Sequence, residues 1–410
     1  MRITYNRFEM ELNSFLKAYL EDESFDHLQE KLNWPEFESD STSQTINEFY
    51  QEQLHIDNHQ SKDRVRIDRI ITFSQKRLSP EKFSNFLIEL AHICLSEGKL
   101  DIAFEIFKKS NKLTNNDNTK AESLLGLADI FSRRAKWTNS LDTLKKAKSI
   151  FKSIVDNRGM AKCENIFGTI YGELGDISKA KKHFLTSLSL IDRDKDLDLA
   201  ASLYTNLGIV NNIQGYYDDA LNHLNKALNI YTKLNNHKNA SEVRLNIGIV
   251  NLDSGNFNEA ITALDTTIEI AKVGHFNTTL CLAYHLKSQV LIKLEDFFYA
   301  SEFANKALEM SHNLSDRLAV ADIYKVKGTI ERHLGNYKIA ETNLLTSLRI
   351  NESFNNQMNA AETAFELGLL YEKMNDAYQK NSYLTKAKDY YKKIESMVNV
   401  ERIDAMLAFS

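Results

Sequence analysis

The sequence predicts an all-α fold, a right-handed α-solenoid of helix-turn-helix repeats with capping helices at its N- and C-terminal ends. Three observations carry this prediction: few helix breakers, a composition suited to buried helices, and a regular spacing of small residues. The 410 residues include 2 prolines and 14 glycines. Proline interrupts helices and is common in linkers between domains. Its scarcity therefore indicates helices that are joined by short turns.

Composition and charge exclude several classes of protein. Apolar residues make up 43% of the chain, charged residues make up 26%, and the net charge is −5. A disordered chain has fewer apolar residues. The three cysteines are too few for a disulfide framework, so we expect a reducing compartment. We find no secretory signal and no apolar stretch that could span a membrane. A cytoplasmic protein without membrane insertion is expected.

The charge is unevenly distributed along the chain. Residues 1–60 are acidic, residues 61–80 are basic, and the remainder has equal numbers of both signs. Non-specific binding of DNA or RNA needs a basic stripe, and the neutral body has none. We therefore expect no nucleic-acid partner.

A column of small residues recurs every 40 positions, and a turn residue follows each of them seven positions later. An earlier copy, shifted by 37, contains Ala91 and Gly98. Eight copies of a two-helix unit therefore cover about residues 84–393. One hairpin cannot bury its own apolar face, so the copies must stack. The small residues are Ala128, Gly168, Gly208, Gly248, Ser288, Gly328 and Gly368, and the turn residues are Ala135, Gly175, Gly215, Gly255, Glu295, Gly335 and Asn375.

The copy at residues 207–231 resembles a tetratricopeptide repeat. The usual period of that family is about 34 residues, and the usual late proline is missing from every copy here. The chain is therefore more similar to the extended repeats of Pins/LGN-type adaptors, kinesin light chains and bacterial Rap-type peptide-responsive regulators. The resemblance implies a protein-binding solenoid. The residues that carry it are Leu207, Gly208, Asn211, Gly215, Tyr216, Tyr217, Ala220, Leu221, Leu224, Ala227, Leu228 and Tyr231.

Three regions follow from this pattern. Residues 1–80 form an N-terminal helical bundle or cap, residues 84–393 form the repeats, and residues 394–410 form a C-terminal capping helix. The N-terminal region is interpreted as an end cap, or, by its resemblance in layout to Rap-type proteins, as an output module. The C-terminal helix can either cover the last hairpin or dock a partner.

In the family that the repeats resemble, the first helix of each pair lines a concave groove. That resemblance assigns polar side chains of successive repeats to the groove. Asn206 and Asn246 occupy the same repeat position, and an amide can both donate to and accept from an extended peptide backbone. The alternative is that these are solvated polar residues. The candidate partner-binding residues are Asn165, Asn206, Asn212, Asn246, His285, Gln289, Lys325 and Arg332.

Other chemistry is weakly supported. His55 and His59 have the spacing of two zinc ligands on a helix, but no third ligand accompanies them, so we expect no metal and no cofactor. Cys94, Cys163 and Cys281 are interpreted as packing residues. No nucleotide-binding or hydrolase motif occurs, and no catalytic residue is assigned.

The sequence thus favours a non-enzymatic module that binds a peptide or protein segment in its concave groove. Two alternatives stay open: a peptide-responsive signalling regulator whose N-terminal bundle is the output, and a passive assembly scaffold. A homo-oligomer is compatible with each of them.

Overall fold

The computed structural model describes residues 7–32, 48–393 and 396–408, and it describes the side chains from residue 62 onward and most of those before residue 33. Within these ranges all regular secondary structure is helical. The predicted fold class, an all-α chain of stacked helical hairpins, is confirmed.

In the described part of the chain, three helices precede the hairpins and one follows them. They are α1 (Arg7–Tyr19), α2 (Asp22–Leu32), α3 (Glu48–Gln75) and, at the C-terminal end, α20 (Met397–Ala408). Between them lie eight hairpins: α4 (Pro80–Ser96) with α5 (Leu100–Leu113), α6 (Asp117–Arg133) with α7 (Trp137–Ser153), α8 (Asn157–Glu173) with α9 (Ile177–Leu190), α10 (Leu197–Ile213) with α11 (Tyr217–Lys233), α12 (His237–Asp253) with α13 (Phe257–Gly274), α14 (Asn277–Lys293) with α15 (Phe297–Asn313), α16 (Arg317–His333) with α17 (Tyr337–Ser353), and α18 (Gln357–Lys373) with α19 (Ala377–Lys393).

The turns explain the period of 40. In the hairpin of α16 and α17, both helices have 17 residues, and each turn has three. A left-handed residue ends the helix, as with Gly335 at φ 80°. The residue after it is the N-cap of the next helix, which is an Asp or Asn in many turns, and the following residue starts that helix. Asp316, for example, accepts a hydrogen bond from the backbone N–H of Ala319 at 3.0 Å. Helix length and turn length are therefore set locally.

The two helices of a hairpin approach closely because a small residue faces a large one. A Cβ atom added to Gly328 would lie 2.5 Å from Cγ of Leu344, and one added to Gly368 would lie 2.6 Å from Cδ2 of Leu384. Real atoms cannot approach so closely, so the small residue is a packing requirement. The small residues predicted from the sequence thus lie at the interface between the two helices of a hairpin.

The chain divides into two compact units, unit 1 (Met1–Arg193) and unit 2 (Asp194–Ser410). The boundary falls where α9 stops after 14 residues instead of 17 and a longer connection, residues 191–196, leads to α10. The 40-residue columns run through this point without interruption, so the sequence pattern did not predict the division.

In unit 1 the first three helices share one apolar core with the first hairpin. Phe8 and Leu16 of α1 and Ile70 of α3 are buried in the same cluster as Phe86 of α4 and Phe107 of α5. The apolar face of hairpin α4–α5 is therefore covered by the first three helices.

Replacing Gly328 with Ala should lower the free energy of unfolding by about 1–3 kcal/mol, because the added methyl group overpacks against Leu344. Helix propensity alone would give the opposite sign, since Ala favours a helix by about 1 kcal/mol over Gly. Thermal unfolding followed by circular dichroism measures the difference.

The matched control is Gly172→Ala, because a Cβ atom there meets nothing closer than Ala180 Cβ at 3.9 Å. This variant should be neutral or up to about 1 kcal/mol more stable. Equal effects of the two substitutions would show that the hairpin spacing is not set by the Gly328–Leu344 contact.

Candidate functional site

The first helices of the hairpins line the inner face of unit 2. Helix α10 contacts α12, α12 contacts α14, α14 contacts α16, and α16 contacts α18. Each of these helices also packs against the second helix of its own hairpin. Helix α20 packs on α19 at the C-terminal end. Polar residues on the free face of the first helices are therefore brought together across repeats.

An elongated cavity of about 790 Å³ runs along this inner face. We call it the inner groove. A cavity of this size is typical of small-molecule and peptide sites. Its apolar lining residues are Leu252, Phe257, Ile292, Val326, Phe365 and Leu369, and its polar ones are Asp253, Gln289, Lys293, Lys325, Thr329, Glu362, Glu366, Tyr391, Asn399 and Arg402.

Hydrogen bonds and ion pairs between α16 and α18 order the polar side of the groove. Lys325 forms an ion pair with Glu362. Glu366 accepts hydrogen bonds from Thr329 Oγ1 at 3.2 Å and from Arg332 Nη2 at 3.0 Å. Both carboxylates are thereby held in place by the neighbouring repeat.

Two cations of the groove have no ion-pair partner among the described residues: Lys293 and Arg402. The guanidinium carbon of Arg402 lies 4.6 Å from the ring centre of Phe365. Glu362 and Glu366 already have cationic partners, so beside α18 and α20 the unpaired charge is that of Arg402. The Asp253 carboxylate, which accepts a hydrogen bond from Asn212, lines the groove from α12. The groove can therefore accept a ligand carboxylate near its C-terminal end.

His285 and Asp322, on adjacent first helices, have shifted pKa values with opposite signs. Burial lowers the pKa of His285 to about 4, and the positive charge of Lys325 acts in the same direction. Burial raises the pKa of Asp322 to about 6, although Lys325 opposes the rise. Asp322 also accepts a hydrogen bond from Asn359 Nδ2 at 2.7 Å. Both groups therefore change their charge between about pH 4 and pH 6.

The predicted site residues occupy first helices, as their repeat position implies. Asn165 lies on α8 in unit 1. The others lie in unit 2: Asn206 and Asn212 on α10, Asn246 on α12, His285 and Gln289 on α14, and Lys325 and Arg332 on α16.

The structure brings some of these residues together. Gln289 and Lys325 line the same inner groove, and Gln289 Nε2 lies 3.2 Å from His285 Nε2. The Asn212 amide donates a hydrogen bond to Asp253 at 2.7 Å. Asn246 is not among the residues that line the inner groove. No hydrogen bond joins its amide to another described residue, so it is open to a ligand that extends beyond the cavity along α12. Their roles in binding stay predictions.

Sequence reasoning missed Glu362, Glu366, Phe365, Tyr391 and Arg402. The same columns contain a signal for three of them. Glu362 lies 40 residues after Asp322, Phe365 lies 40 after Lys325, and Glu366 lies 120 after Asn246. Tyr391 and Arg402 come from the second helix of the last hairpin and from α20, where no repeat position predicts a groove residue.

The remaining candidates are placed as follows. The side chains of His55 and His59 lie outside the described residues. Cys94, Cys163 and Cys281 are buried, and burial raises the pKa of their thiols, to about 12, 12 and 11 respectively. A thiol with such a pKa is a poor nucleophile at neutral pH, which fits a packing role.

Comparison with known families gives one match. A tetratricopeptide-repeat model matches residues 198–272. These hairpins are tetratricopeptide repeats. No curated protein matches the sequence at a significant level. None of the helices in the described ranges is long and apolar enough to cross a membrane.

Solved tetratricopeptide-repeat structures resemble the whole fold. The apo form of the quorum sensor NprR from B. thuringiensis is 13% identical, with a TM-score of 0.62 over 93% of this chain and 99% of that one. A Rap protein complexed with Competence and Sporulation Factor is 13% identical, with a TM-score of 0.60 over 80% and 97%. A signal transduction ATPase with a tetratricopeptide-repeat sensor from Pyrococcus horikoshii is 17% identical, with a TM-score of 0.62 over 98% of this chain but 65% of that one. At these identities the likeness shows the fold.

The opposite pKa shifts of His285 and Asp322 should change the pH dependence of the melting temperature when one of the two side chains is replaced. Between about pH 4 and pH 6.5 the unfolded chain binds a proton that folded His285 does not, so this histidine adds stability as pH rises. Between about pH 4 and pH 6 folded Asp322 keeps a proton that the unfolded chain has released, so this carboxyl lowers stability as pH rises. Asp322→Asn should therefore make the melting temperature rise more steeply from pH 4 to pH 6.5, and His285→Gln should flatten or reverse the rise.

Asp389→Asn, at an exposed position of α19, serves as the control and should leave the slope unchanged. Identical slopes for Asp322→Asn and His285→Gln would contradict the assignment of the two shifts.

Proposed function

We propose that this chain is a non-enzymatic binding protein that holds a peptide, or an extended segment of a partner protein, in the inner groove of unit 2. The observation that carries the proposal is the composition of the groove. Six apolar residues and ten polar ones, contributed by four of the unit's hairpins and by α20, line a single cavity of about 790 Å³. An extended segment requires such a site, with room for several residues and both kinds of contact.

Amide side chains supply the main-chain contacts in this proposal. Asn246 has no partner among the described residues, and Gln289 lines the groove. Each amide can donate to a peptide carbonyl and accept from a peptide N–H. One such hydrogen bond contributes only about 0.5–1.5 kcal/mol net, so the apolar lining around Phe365 and Leu369 must supply the rest.

The positive charge of Arg402, on α20 at the C-terminal end, gives the ligand a direction. Lys293 and Arg402 have no ion-pair partner among the described residues, and both line the groove. A carboxylate of the ligand, either its C-terminus or an acidic side chain, is expected to lie beside Arg402. The Rap protein whose structure resembles this one was solved in complex with Competence and Sporulation Factor, which supports a ligand-binding role for this fold.

The packing of α1–α3 bears on the three regions proposed from the sequence. Because Leu16 and Ile70 are buried together with Phe86 of the first hairpin, we propose that residues 1–80 cap the repeats. A separate output module would need a surface that is not used for this packing. By the same argument we propose that α20 caps the C-terminal end of the repeats, because Val400 and Ile403 are buried in the core of the last hairpin.

The proposal is tested by selecting binders from a phage-displayed library of unstructured 12-residue peptides with the full chain as bait. Affinities of the selected peptides are then measured by fluorescence anisotropy. The double variant Asn246→Ala, Gln289→Ala should weaken them at least tenfold, because two amide contacts are lost together.

The matched control is Asn222→Ala, Asn225→Ala, which removes two exposed amides from the second helix α11. This control should bind like the parent chain. Selected peptides that tolerate the groove variant but not the control would place the binding site elsewhere and overturn the proposal, and so would a library that yields no binder.

A further inference from the structure

The outer face of unit 2 contains a second cavity that the groove does not explain. It has a volume of about 400 Å³ and lies between the second helices α11 and α13, with α12 beneath it. We call it the outer pocket. Its lining residues are Leu228, Arg244, Ile247, Asn251, Asn258, Glu259, Thr262, Ala263 and Thr266.

The hairpins on either side fill the equivalent space with rings. In α10 and α11, Tyr204 faces His223 with ring centres 6.0 Å apart. In α14 and α15, Tyr284 faces Phe303 at 5.8 Å. The residues 40 positions from these pairs are Arg244 and Ala263. One hairpin thus replaces two rings with a guanidinium group and a methyl group, which leaves the pocket open.

Arg244 is half-buried in this pocket, and no ion pair or hydrogen bond to another described residue involves its side chain. Glu259 also lines the pocket, but the two charged groups are not within the 4.0 Å of an ion pair. A charge that is partly removed from water is unfavourable unless it is paired. The neighbouring hairpins show that a ring would fit here instead, so packing alone does not require an arginine.

Three of the other polar side chains of the pocket already form hydrogen bonds within their own helices. Thr262 Oγ1 donates to the carbonyl of Asn258 at 3.0 Å, and Thr266 Oγ1 donates to that of Thr262 at 2.9 Å. Asn251 Nδ2 donates to the carbonyl of Ile247 at 2.9 Å. Arg244 therefore supplies the positive charge of the lining, the Asn258 amide is a further donor, and Glu259 adds a carboxylate. Leu228, Ile247 and Ala263 offer apolar walls.

We propose that the outer pocket binds a carboxylate that is carried beside an aromatic ring. The carboxylate pairs with the guanidinium of Arg244, whose planar donors match a carboxylate in bidentate geometry. The ring occupies the space that His223 and Phe303 occupy in the neighbouring hairpins. Such a group occurs in free aromatic acids and at the C-terminus of a protein that ends in an aromatic residue.

The test uses the full chain and two probes, benzoate for the free acids and N-acetylphenylalanine for the chain terminus. Benzamide and N-acetylphenylalanine amide are the neutral counterparts. Ligand-observed NMR titrations should show that at least one acid binds ten times more tightly than its amide. Arg244→Gln should remove this preference, and Ala263→Phe should abolish binding because it refills the pocket.

Arg349→Gln, at an exposed position of α17, is the control for loss of one positive charge and should bind like the parent. Circular dichroism of each variant checks that the helices are intact. Binding of N-acetylphenylalanine alone identifies a chain terminus as the ligand, and binding of benzoate identifies a free acid. Equal affinities for acid and amide, or an unchanged preference in Arg244→Gln, would overturn the proposal.

Discussion

The structure depends on one steric relation inside most hairpins: a residue with little or no side chain on the first helix faces a large apolar residue on the second. Gly208 faces Leu224, and Gly328 faces Leu344. The first helix packs closely against the second helix on this side only. Its opposite side therefore does not contact the second helix of the same hairpin. That free side is what successive first helices present to one another and to the inner groove. The groove residues of the first helices thus owe their position to a small residue on the far side of the helix.

The equal length of the repeats turns this local relation into long-range order. Contacts between adjacent first helices join residues that lie about one repeat apart, such as Lys325 with Glu362 and Asn212 with Asp253. No single hairpin holds a complete site, because each contributes only three to five groove side chains. The groove is therefore a property of the stack, and its chemistry changes gradually from α12 to α18.

The sequence predicts the hairpins well because both of their determinants are local. The turn residue Gly335 and the small residue Gly328 are recognisable from their own repeat, since one needs a left-handed backbone and the other needs space. The groove is only partly predictable. Gln289 and Lys325 follow from repeat position, whereas Arg402 reaches the groove from α20, which belongs to no repeat. The division after residue 193 also escaped prediction, because it depends on the length of a connection and not on a side-chain column.

A residue that differs from the others in its repeat column has one consequence when a neighbouring residue restores the packed volume and another when none does. Ser288 is larger than the glycines of its column, and Ala304, which stands 40 residues from Leu264 and Leu344, is correspondingly smaller, so the hairpin keeps its volume. Arg244 and Ala263 depart together as well, but the volume is not restored and a cavity remains. A compensated exchange only preserves packing. An uncompensated one leaves a space and a charge that packing does not use, and these are the features from which a binding site is built.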